Sequence, residues 1–186
     1  AISQWLTPFT LNEAEIGFVK AGLAAGVLKR PQKVDLQVYG PKIQQMQQVR
    51  SNALADVEKK AGAAFLTKAA AEPGAKKTES GAIVTVMKEG KGATPKATDT
   101  VKVHYHGTLT DGTVFDSSVK RGEPATFPLN QVIKCWTEAV QLIKVGGKSK
   151  LVCPSGIAYG DRGSPPVIKP GATLVFEVEL LDIVKQ

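Results

Sequence analysis

Apolar residues near the start of the chain recur every three or four positions, which is the spacing of one face of a helix. The recurrence starts at Ile16, shortly after Thr10 and Glu13, which have the spacing of a capping box at a helix N-terminus. We therefore predict a helix from about Leu11 to Leu28, interrupted by Pro31.

A longer stretch with the same period follows. Its apolar positions are Ile43, Met46, Val49, Ala53, Val57, Ala61 and Phe65. They predict one amphipathic helix from about Pro41 to Glu72, on the order of 45 Å long at ~1.5 Å per residue. A small domain does not cover so long a stripe with its own core, so we expect a second copy of the chain to cover it. A helical hairpin packed on the rest of the same chain is the alternative.

The hydrophobic period changes after a polar linker, Ala75 to Gly81. Beyond it, apolar and polar residues alternate as they do in half-buried strands. The alternating positions are Val84 and Val86; Val101, Val103 and Tyr105; Ser149, Leu151 and Cys153; and Leu174, Phe176, Val178 and Leu180. One short helix, from about Asn130 to Lys144, lies between the strands. Residues 1–77 are thus predicted to form an all-α dimerisation arm with its linker. Residues 78–186 are predicted to form an α+β domain, a curved antiparallel β-sheet wrapped around one short helix.

Composition and charge remove several classes of function. The 186 residues are 42% hydrophobic and 22% charged, which is an ordinary globular composition. The net charge is +7, but the basic residues stand singly or in pairs such as Lys29-Arg30, so nucleic acid is not a predicted partner. Apolar runs are a few residues long, far short of the roughly 20 that cross a bilayer.

The common catalytic templates do not fit the sequence. His104 and His106 are the only histidines, and their spacing places both on the polar face of one strand without a third metal ligand nearby. Ser117 has no G-x-S-x-G context, and the glycines around Lys91 lack the ending of a P-loop. We predict neither a metal nor a cofactor.

Aromatic and aliphatic residues are instead concentrated at strand ends and loops of the second domain. They are Tyr105, Phe115, Phe127, Val132, Ile133, Trp136, Tyr159 and Phe176. Taken alone, each is explained more simply as part of the core. Their order and spacing favour a binding site.

The segment from Val103 to Ser118, VHYHGTLTDGTVFDSS, resembles the signature VHYTGxLxDGxxFDSS of FKBP-type peptidyl-prolyl isomerases almost residue for residue. The match continues in order through the later strands and covers about Glu79 to Gln186. The N-terminal part is similar, in helix pattern and domain order, to the dimerisation arm of bacterial macrophage infectivity potentiator (Mip) and FkpA-like proteins.

This resemblance implies a prolyl pocket. Its catalytic residues would be Tyr105, Phe115, Asp116, Trp136, Tyr159 and Phe176, with the Trp136 indole as the floor and Asp116 as the polar member. The residues that bind substrate or a macrolide such as rapamycin would be Phe127, Gln131, Val132, Ile133, Val167 and Ile168. The backbone N–H of Ile133 and the hydroxyl of Tyr159 would each donate to a substrate carbonyl.

The sequence departs from the family pattern in three places. Residues 161–166 form a loop in which many members have a histidine, Cys135 replaces a usual glycine, and Cys153 replaces an aliphatic residue. We expect the altered loop to affect substrate preference and macrolide affinity.

The function that the resemblance implies is peptidyl-prolyl cis-trans isomerisation during protein folding, with chaperone activity as a homodimer. The partners would be unfolded or partly folded proteins and proline-containing peptides. A non-catalytic chaperone or adaptor module that uses the same groove is the alternative. The resemblance also predicts the periplasm or cell surface of a Gram-negative bacterium, reached with a signal peptide that is not in this sequence.

Two cysteines remain to be explained. Cys135 lies on the stripe of the short helix that faces the sheet, and Cys153 lies on the same face of its strand as Leu151. Both sulfurs should therefore lie in one helix–sheet interface, where a Cα separation of about 4.4–6.8 Å permits a disulfide. Two buried thiols are the alternative, favoured by a reducing compartment.

Overall fold

The computed structural model describes residues 6–31 and 33–184. The helices are α1 (Glu13–Val27), α2 (Leu36–Ala70), α3 (Ser118–Arg121) and α4 (Lys134–Ala139). The strands are β1 (Ala75–Lys77), β2 (Ile83–Lys88), β3 (Thr100–Leu109), β4 (Val114–Ser117), β5 (Ala125–Pro128), β6 (Lys148–Cys153) and β7 (Leu174–Val184). Single 3₁₀ turns lie at Thr7–Phe9, Leu129–Gln131, Val140–Leu142 and Ser155–Ile157. Within these described ranges, no helix combines the length and hydropathy needed to cross a membrane.

The N-terminus of α1 is capped by residues other than the predicted pair. Asn12 is the N-cap, and it exchanges two hydrogen bonds of 3.0 Å with Glu15 in a capping box. The prediction that Thr10 and Glu13 fill these roles is wrong. Thr10 closes the preceding 3₁₀ turn with φ 46°, in the left-handed region, whereas an N-cap residue is extended.

Helix α2 begins earlier than the sequence predicted. Asp35 caps it by accepting a hydrogen bond of 2.8 Å from the Gln37 N–H, so the helix starts at Leu36 rather than at Pro41. Pro41 lies in the second turn, where it lacks the N–H that would bond to the Gln37 carbonyl. The 35 residues of α2 give a length of about 52 Å.

A seam of small residues joins α2 to the second domain. Ala55, Gly62 and Ala69 are buried and stand seven residues apart, which is about two helical turns. A Cβ on Gly62 would lie 2.1 Å from Oγ1 of Thr173, just before β7, so the helix approaches closely only because this residue is glycine. The arm therefore lies directly against the domain that carries the sheet.

Within the described residues, seven strands form one antiparallel sheet in the order β1-β2-β6-β7-β3-β4, and β5 pairs with β3. The helical segment from Leu129 to Leu142 packs on one face of the sheet and buries Trp136, Ala139 and Val140 in the main core. The predicted α+β fold with its N-terminal long helix is confirmed. The predicted single helix over residues 130–144 is instead the six-residue α4 between two 3₁₀ turns.

The predicted linker belongs in part to the sheet. Residues 75–77 form β1, which pairs with residues 83–85 of β2. The expectation of a polar linker over all of residues 75–81 is wrong for this reason: the backbone of β1 bonds to the edge of β2. The sheet thus begins three residues before the predicted boundary at residue 78.

Candidate active site

A pocket of about 430 Å³ opens beside α4, where β3, β4, β5 and β7 bring aromatic side chains together. Its walls are Tyr105, Phe115, Asp116, Phe127, Gln131, Val132, Ile133, Trp136, Tyr159 and Phe176. We call it the aromatic pocket. These ten residues are all among the predicted site residues. Of the other two, Ile168 is buried in the core and Val167 lies on an exposed loop. Neither lines the aromatic pocket, and their part in binding stays a prediction.

Trp136 is the residue around which the aromatic pocket is built. Its ring contacts Tyr105, Phe127 and Phe176 edge-to-face, with centroid separations of 5.4, 5.9 and 5.3 Å. Such near-perpendicular ring pairs stabilise the fold by more than the burial of their apolar area alone. Because Trp136 is only 4% exposed, the walls are fixed to one another through a rigid floor.

The wall opposite depends on a glycine in β3. Gly107 pairs with Asp116 on one neighbouring strand and with Phe176 on the other. A Cβ at this position would lie 2.6 Å from Cζ of Phe115 and 3.2 Å from Cε1 of Phe176. The absence of a side chain at Gly107 therefore lets the two rings pack edge-to-face at 5.4 Å.

The polar corner of the pocket consists of three connected side chains. The Tyr105 hydroxyl donates to one oxygen of Asp116, and the Arg121 guanidinium donates to the other. Arg121 also donates to the Tyr105 hydroxyl over 3.0 Å and lies over the Tyr105 ring, 5.5 Å from its centre. The Tyr105 hydroxyl thus donates one hydrogen bond and accepts another.

These contacts set the charge of the corner. Burial would raise the pKa of the Asp116 carboxyl, but hydrogen bonds from Tyr105 and Arg121 outweigh it and hold that pKa below its usual value. The pKa of the Tyr105 hydroxyl is raised, first by burial and then by its hydrogen bond to the Asp116 carboxylate. At neutral pH the corner therefore holds a carboxylate, a neutral phenol and a guanidinium.

Sequence reasoning missed Arg121. It does not line the aromatic pocket, and it contacts the pocket residues from the end of α3. The available signal was a basic residue five positions after Asp116, the polar member expected in an otherwise apolar pocket. A carboxylate in an apolar pocket is normally paired, so the two basic residues that follow it, Lys120 and Arg121, are the ones to examine.

Two donors at the pocket are open to a ligand. Neither the Ile133 backbone N–H nor the Tyr159 hydroxyl has an acceptor among the described residues. Tyr159 is 41% exposed, and Ile133 is the N-cap residue of α4. The indole N–H of Trp136 is buried and likewise lacks an acceptor within the described ranges. An unpaired buried N–H costs about 1–3 kcal/mol, which proteins tolerate mainly at functional sites.

The floor of the pocket is covalently tied to the sheet. Cys135 and Cys153 form a disulfide with a Cα separation of 5.8 Å, and both are fully buried. Cys135 lies in the first turn of α4, next to Trp136. The bond therefore fixes the start of the helix that carries the indole.

The histidines have local partners outside the pocket. Nδ1 of His104 lies 3.1 Å from Oγ of Ser118, and Nδ1 of His106 lies 2.9 Å from Oγ of Ser117. In the described part of the chain, no three His, Cys, Asp or Glu side chains are grouped as metal ligands would be.

Two family models match the chain. One is described as FKBP-type peptidyl-prolyl cis-trans isomerase and matches residues 91–181. The other is described as the domain amino terminal to FKBP-type peptidyl-prolyl isomerase and matches residues 10–86. Together they cover both parts of the structure.

Curated relatives carry the same description. The FKBP-type peptidyl-prolyl cis-trans isomerase FkpA of Aeromonas hydrophila is 56% identical over 154 residues, covering 83% of this chain and 57% of the relative. The FKBP-type 22 kDa peptidyl-prolyl cis-trans isomerase of Escherichia coli (strain K12) is 54% identical over 122 residues, which cover 66% of this chain and 59% of that relative. The chain thus spans less than two thirds of the length of these relatives.

Solved structures agree with the fold. The crystal structure of FkpA from Escherichia coli aligns with a TM-score of 0.78 at 38% identity, covering 97% of this chain and 86% of that one. The crystal structure of a peptidyl-prolyl cis-trans isomerase from Pseudomonas syringae aligns with a TM-score of 0.66 at 38% identity, covering 70% of this chain and 96% of that one. The first alignment includes the arm as well as the sheet domain.

Proposed function

The chain belongs to the family of FKBP-type peptidyl-prolyl cis-trans isomerases, and from that premise we propose that it accelerates X–Pro bond rotation in unfolded and partly folded proteins. The observation that carries the proposal is the aromatic pocket, in which six aromatic side chains surround one ion-paired carboxylate. A peptidyl-prolyl segment has the apolar ring and the flanking carbonyls that such a pocket accommodates.

The reaction requires no covalent step. Rotation about the X–Pro bond must break amide resonance over a barrier of ~18–20 kcal/mol. Water favours the planar, charge-separated amide, so removal of water in an apolar pocket lowers the barrier to the twisted form. Phe115, Trp136 and Phe176 supply the desolvating surface.

Hydrogen bonds orient the segment while it rotates. The Ile133 N–H and the Tyr159 hydroxyl would each donate to a carbonyl next to the proline, which leaves the X–Pro bond as the free torsion. Asp116, held by Arg121, keeps Tyr105 in place as one wall. Each ~1.4 kcal/mol of preference for the twisted amide gives about tenfold in rate, so a few such contacts supply several decades.

A homodimer through the arm belongs to the proposal. Helix α1 buries none of its residues, and Leu23 and Val27, which lie one turn apart on the same face, are 52% and 74% exposed. Val57 on α2 is 66% exposed. Contiguous apolar helix faces of this kind mark contact surfaces. Two linked pockets would then bind one unfolded chain with higher avidity, which is the basis of the proposed chaperone activity.

Two further parts of the proposal concern inhibitors and location. A macrolide such as rapamycin is expected to inhibit by filling the aromatic pocket.

Export to the periplasm or cell surface is supported by the disulfide between Cys135 and Cys153, since such bonds persist in oxidising compartments.

The test of isomerase activity compares turnover with binding. The full chain should accelerate cis-trans isomerisation of a prolyl tetrapeptide and of a proline-limited refolding reaction, and rapamycin should inhibit both. Phe115→Ala and Asp116→Ala should each lower kcat/KM by about tenfold or more while circular dichroism stays native. A protein that binds unfolded chains but leaves the tetrapeptide rate unchanged would instead be the non-catalytic module.

The dimer is tested separately. Val57→Lys places a charge on the exposed stripe of α2, so sedimentation should shift towards the monomer. Leu142→Lys is the matched control, because Leu142 is 51% exposed on the catalytic domain and should leave the association unchanged. A monomeric unmodified chain would refute the dimer.

A further inference from the structure

A second cleft, of about 590 Å³, lies between the arm and the loop that follows Tyr159. One wall is formed on α2 by residues that include Gln44, Gln47 and Gln48, and the other by most of the residues between 161 and 170. Thr7 and Pro8 of the first 3₁₀ turn also line the cleft. We call it the arm cleft. We propose that the arm cleft binds the segment of an extended client polypeptide that flanks the proline held in the aromatic pocket. This inference rests on the isomerase function proposed above and adds a second substrate site to it.

The two cavities share the loop as a common wall. Tyr159 lines the aromatic pocket and Asp161 lines the arm cleft, and two residues span at most ~7 Å of chain. A client that leaves the aromatic pocket over Tyr159 therefore reaches the arm cleft after about two or three of its own residues. The loop is compact there, because the Gly163 N–H donates to the Tyr159 carbonyl and the Gly171 N–H to the Gly160 carbonyl.

The lining chemistry fits a polypeptide main chain. A glutamine amide both donates and accepts, so it pairs with a peptide group of any sequence. The side chains of Gln44 and Gln47 make no hydrogen bond to other described residues, which leaves them available. Across the cleft, Pro165 and Pro166 offer apolar rings without N–H donors of their own. Arg162 adds a positive charge to that wall, while Asp161 and Lys169 are ion-paired with α2. The amides and the proline rings are therefore what the cleft offers to an extended main chain.

The arm cleft is held open by contacts between its two walls. A Cβ on Gly171, whose φ is +75°, would lie 2.4 Å from the Ala55 carbonyl oxygen, so the loop backbone lies directly on α2. Ion pairs of 2.6 Å between Lys59 and Asp161 and 3.0 Å between Lys169 and Glu58 flank that contact. A preformed site spends less of its binding free energy on ordering itself.

The occupant is a client chain rather than a second copy of the protein. At about 100° per residue, Gln48 stands about 20° around α2 from the buried Ala55, whereas Val57 stands about 160° away. The exposed apolar stripe that a second copy would cover thus faces away from the arm cleft. The cleft itself faces the domain that carries the sheet, and its wall residue Asp161 stands two positions after Tyr159 of the aromatic pocket.

The experiment measures how substrate length changes the kinetics. The full-length protein and Gln44→Ala/Gln47→Ala are assayed with a prolyl tetrapeptide and with a proline peptide of about 15 residues, which is long enough to cross both sites. For the double variant we expect unchanged tetrapeptide kinetics. For the long peptide we expect KM to rise about five- to tenfold at constant kcat, as for two lost hydrogen bonds. Gln37→Ala/Gln45→Ala, which removes amides outside the cleft, is the control.

The outcomes separate the two proposals. If the unmodified protein fails to turn over the tetrapeptide, the isomerase function is refuted, and this inference with it. If the unmodified protein turns over the tetrapeptide but the double variant has unchanged kinetics with both peptides, only the proposal of the arm cleft is refuted. A double variant that sediments as a monomer while the control remains a dimer would assign the cleft to a second copy and overturn the proposal.

Discussion

Arg121 holds Tyr105 from outside the aromatic pocket, with a hydrogen bond of 3.0 Å to its hydroxyl and a guanidinium 5.5 Å from the centre of its ring. The same guanidinium binds Asp116, to which Tyr105 donates. A wall of the pocket is therefore positioned by a residue that has no surface in it. The carboxylate connects the two and keeps the phenol oriented.

Arg121→Ala should release this wall. We expect kcat/KM for a prolyl tetrapeptide to fall by about tenfold, since Tyr105 and Asp116 lose a shared donor, while the melting temperature changes little. NMR titration should show the pKa of Asp116 moving up towards its usual value. Arg121→Lys should restore only part of the lost kcat/KM, because an ammonium group does not reach both partners as the planar guanidinium does. Lys120→Ala is the control, and equal activity of both alanine variants would contradict the positioning role.

The pH dependence of stability follows from the same corner. Because the folded protein lowers the pKa of Asp116, its carboxylate contributes stability above the unfolded pKa of ~3.9. That contribution is lost as the pH falls through the lower, folded pKa. The Asp116→Asn variant lacks the stability that the carboxylate contributes. Its urea midpoint should therefore lie below that of the unmodified protein by a constant amount from pH 7 to about pH 5. The difference should narrow below about pH 4. A constant difference down to pH 2 would contradict the shift.

Periodicity predicted the two helices of the arm and the strands β2, β3, β6 and β7 in their order, but not the short strands β1, β4 and β5 or the ends of the elements. The apolar stripe of α2 and the alternation of β3 and β7 extend over many residues. One residue that departs from the pattern therefore does not change the predicted element. Helix starts depend on one or two residues. Asn12 and Thr10 are both acceptable caps by composition, and the left-handed turn at Thr10 decides between them.

The pocket residues were implied by a motif, whereas their supports were not. Tyr105, Phe115 and Asp116 lie in one signature, residues 103–118, that can be read linearly. The contact of Gly171 with Ala55 joins positions more than a hundred residues apart, and no local pattern indicates it. Such long-range contacts follow from the topology, which is why the arm cleft became evident only in the folded chain.

Breaking the disulfide between Cys135 and Cys153 should destabilise the domain that carries the pocket. The bond closes a segment with a sequence separation of 18, and the chain-entropy estimate for such a loop is about 3 kcal/mol. The double variant Cys135→Ala/Cys153→Ala should show this loss in urea unfolding, together with weaker rapamycin binding, because the first turn of α4 supports Trp136. Reductant should lower the melting temperature of the unmodified protein and leave that of the double variant unchanged. Two free thiols in unfolded, unreduced protein prepared under oxidising conditions would contradict the bond.

Gly107→Ala tests the pocket wall without removing any of its side chains. The new methyl group would lie 2.6 Å from Cζ of Phe115, far inside contact distance, and 3.2 Å from Cε1 of Phe176. Both rings line the pocket, but Phe115 is only partly buried whereas Phe176 is buried, so the Phe115 ring is the one able to give way. We expect a loss of about 1–3 kcal/mol in the free energy of unfolding, as for an overpacked site. We also expect kcat/KM to fall by about tenfold, because the displaced ring no longer covers the prolyl segment. Gly156→Ala is the matched control, since a Cβ at that position meets nothing within 4 Å and should leave both quantities unchanged. If Gly107→Ala lost stability but kept full turnover, Phe115 would not be a wall of the site.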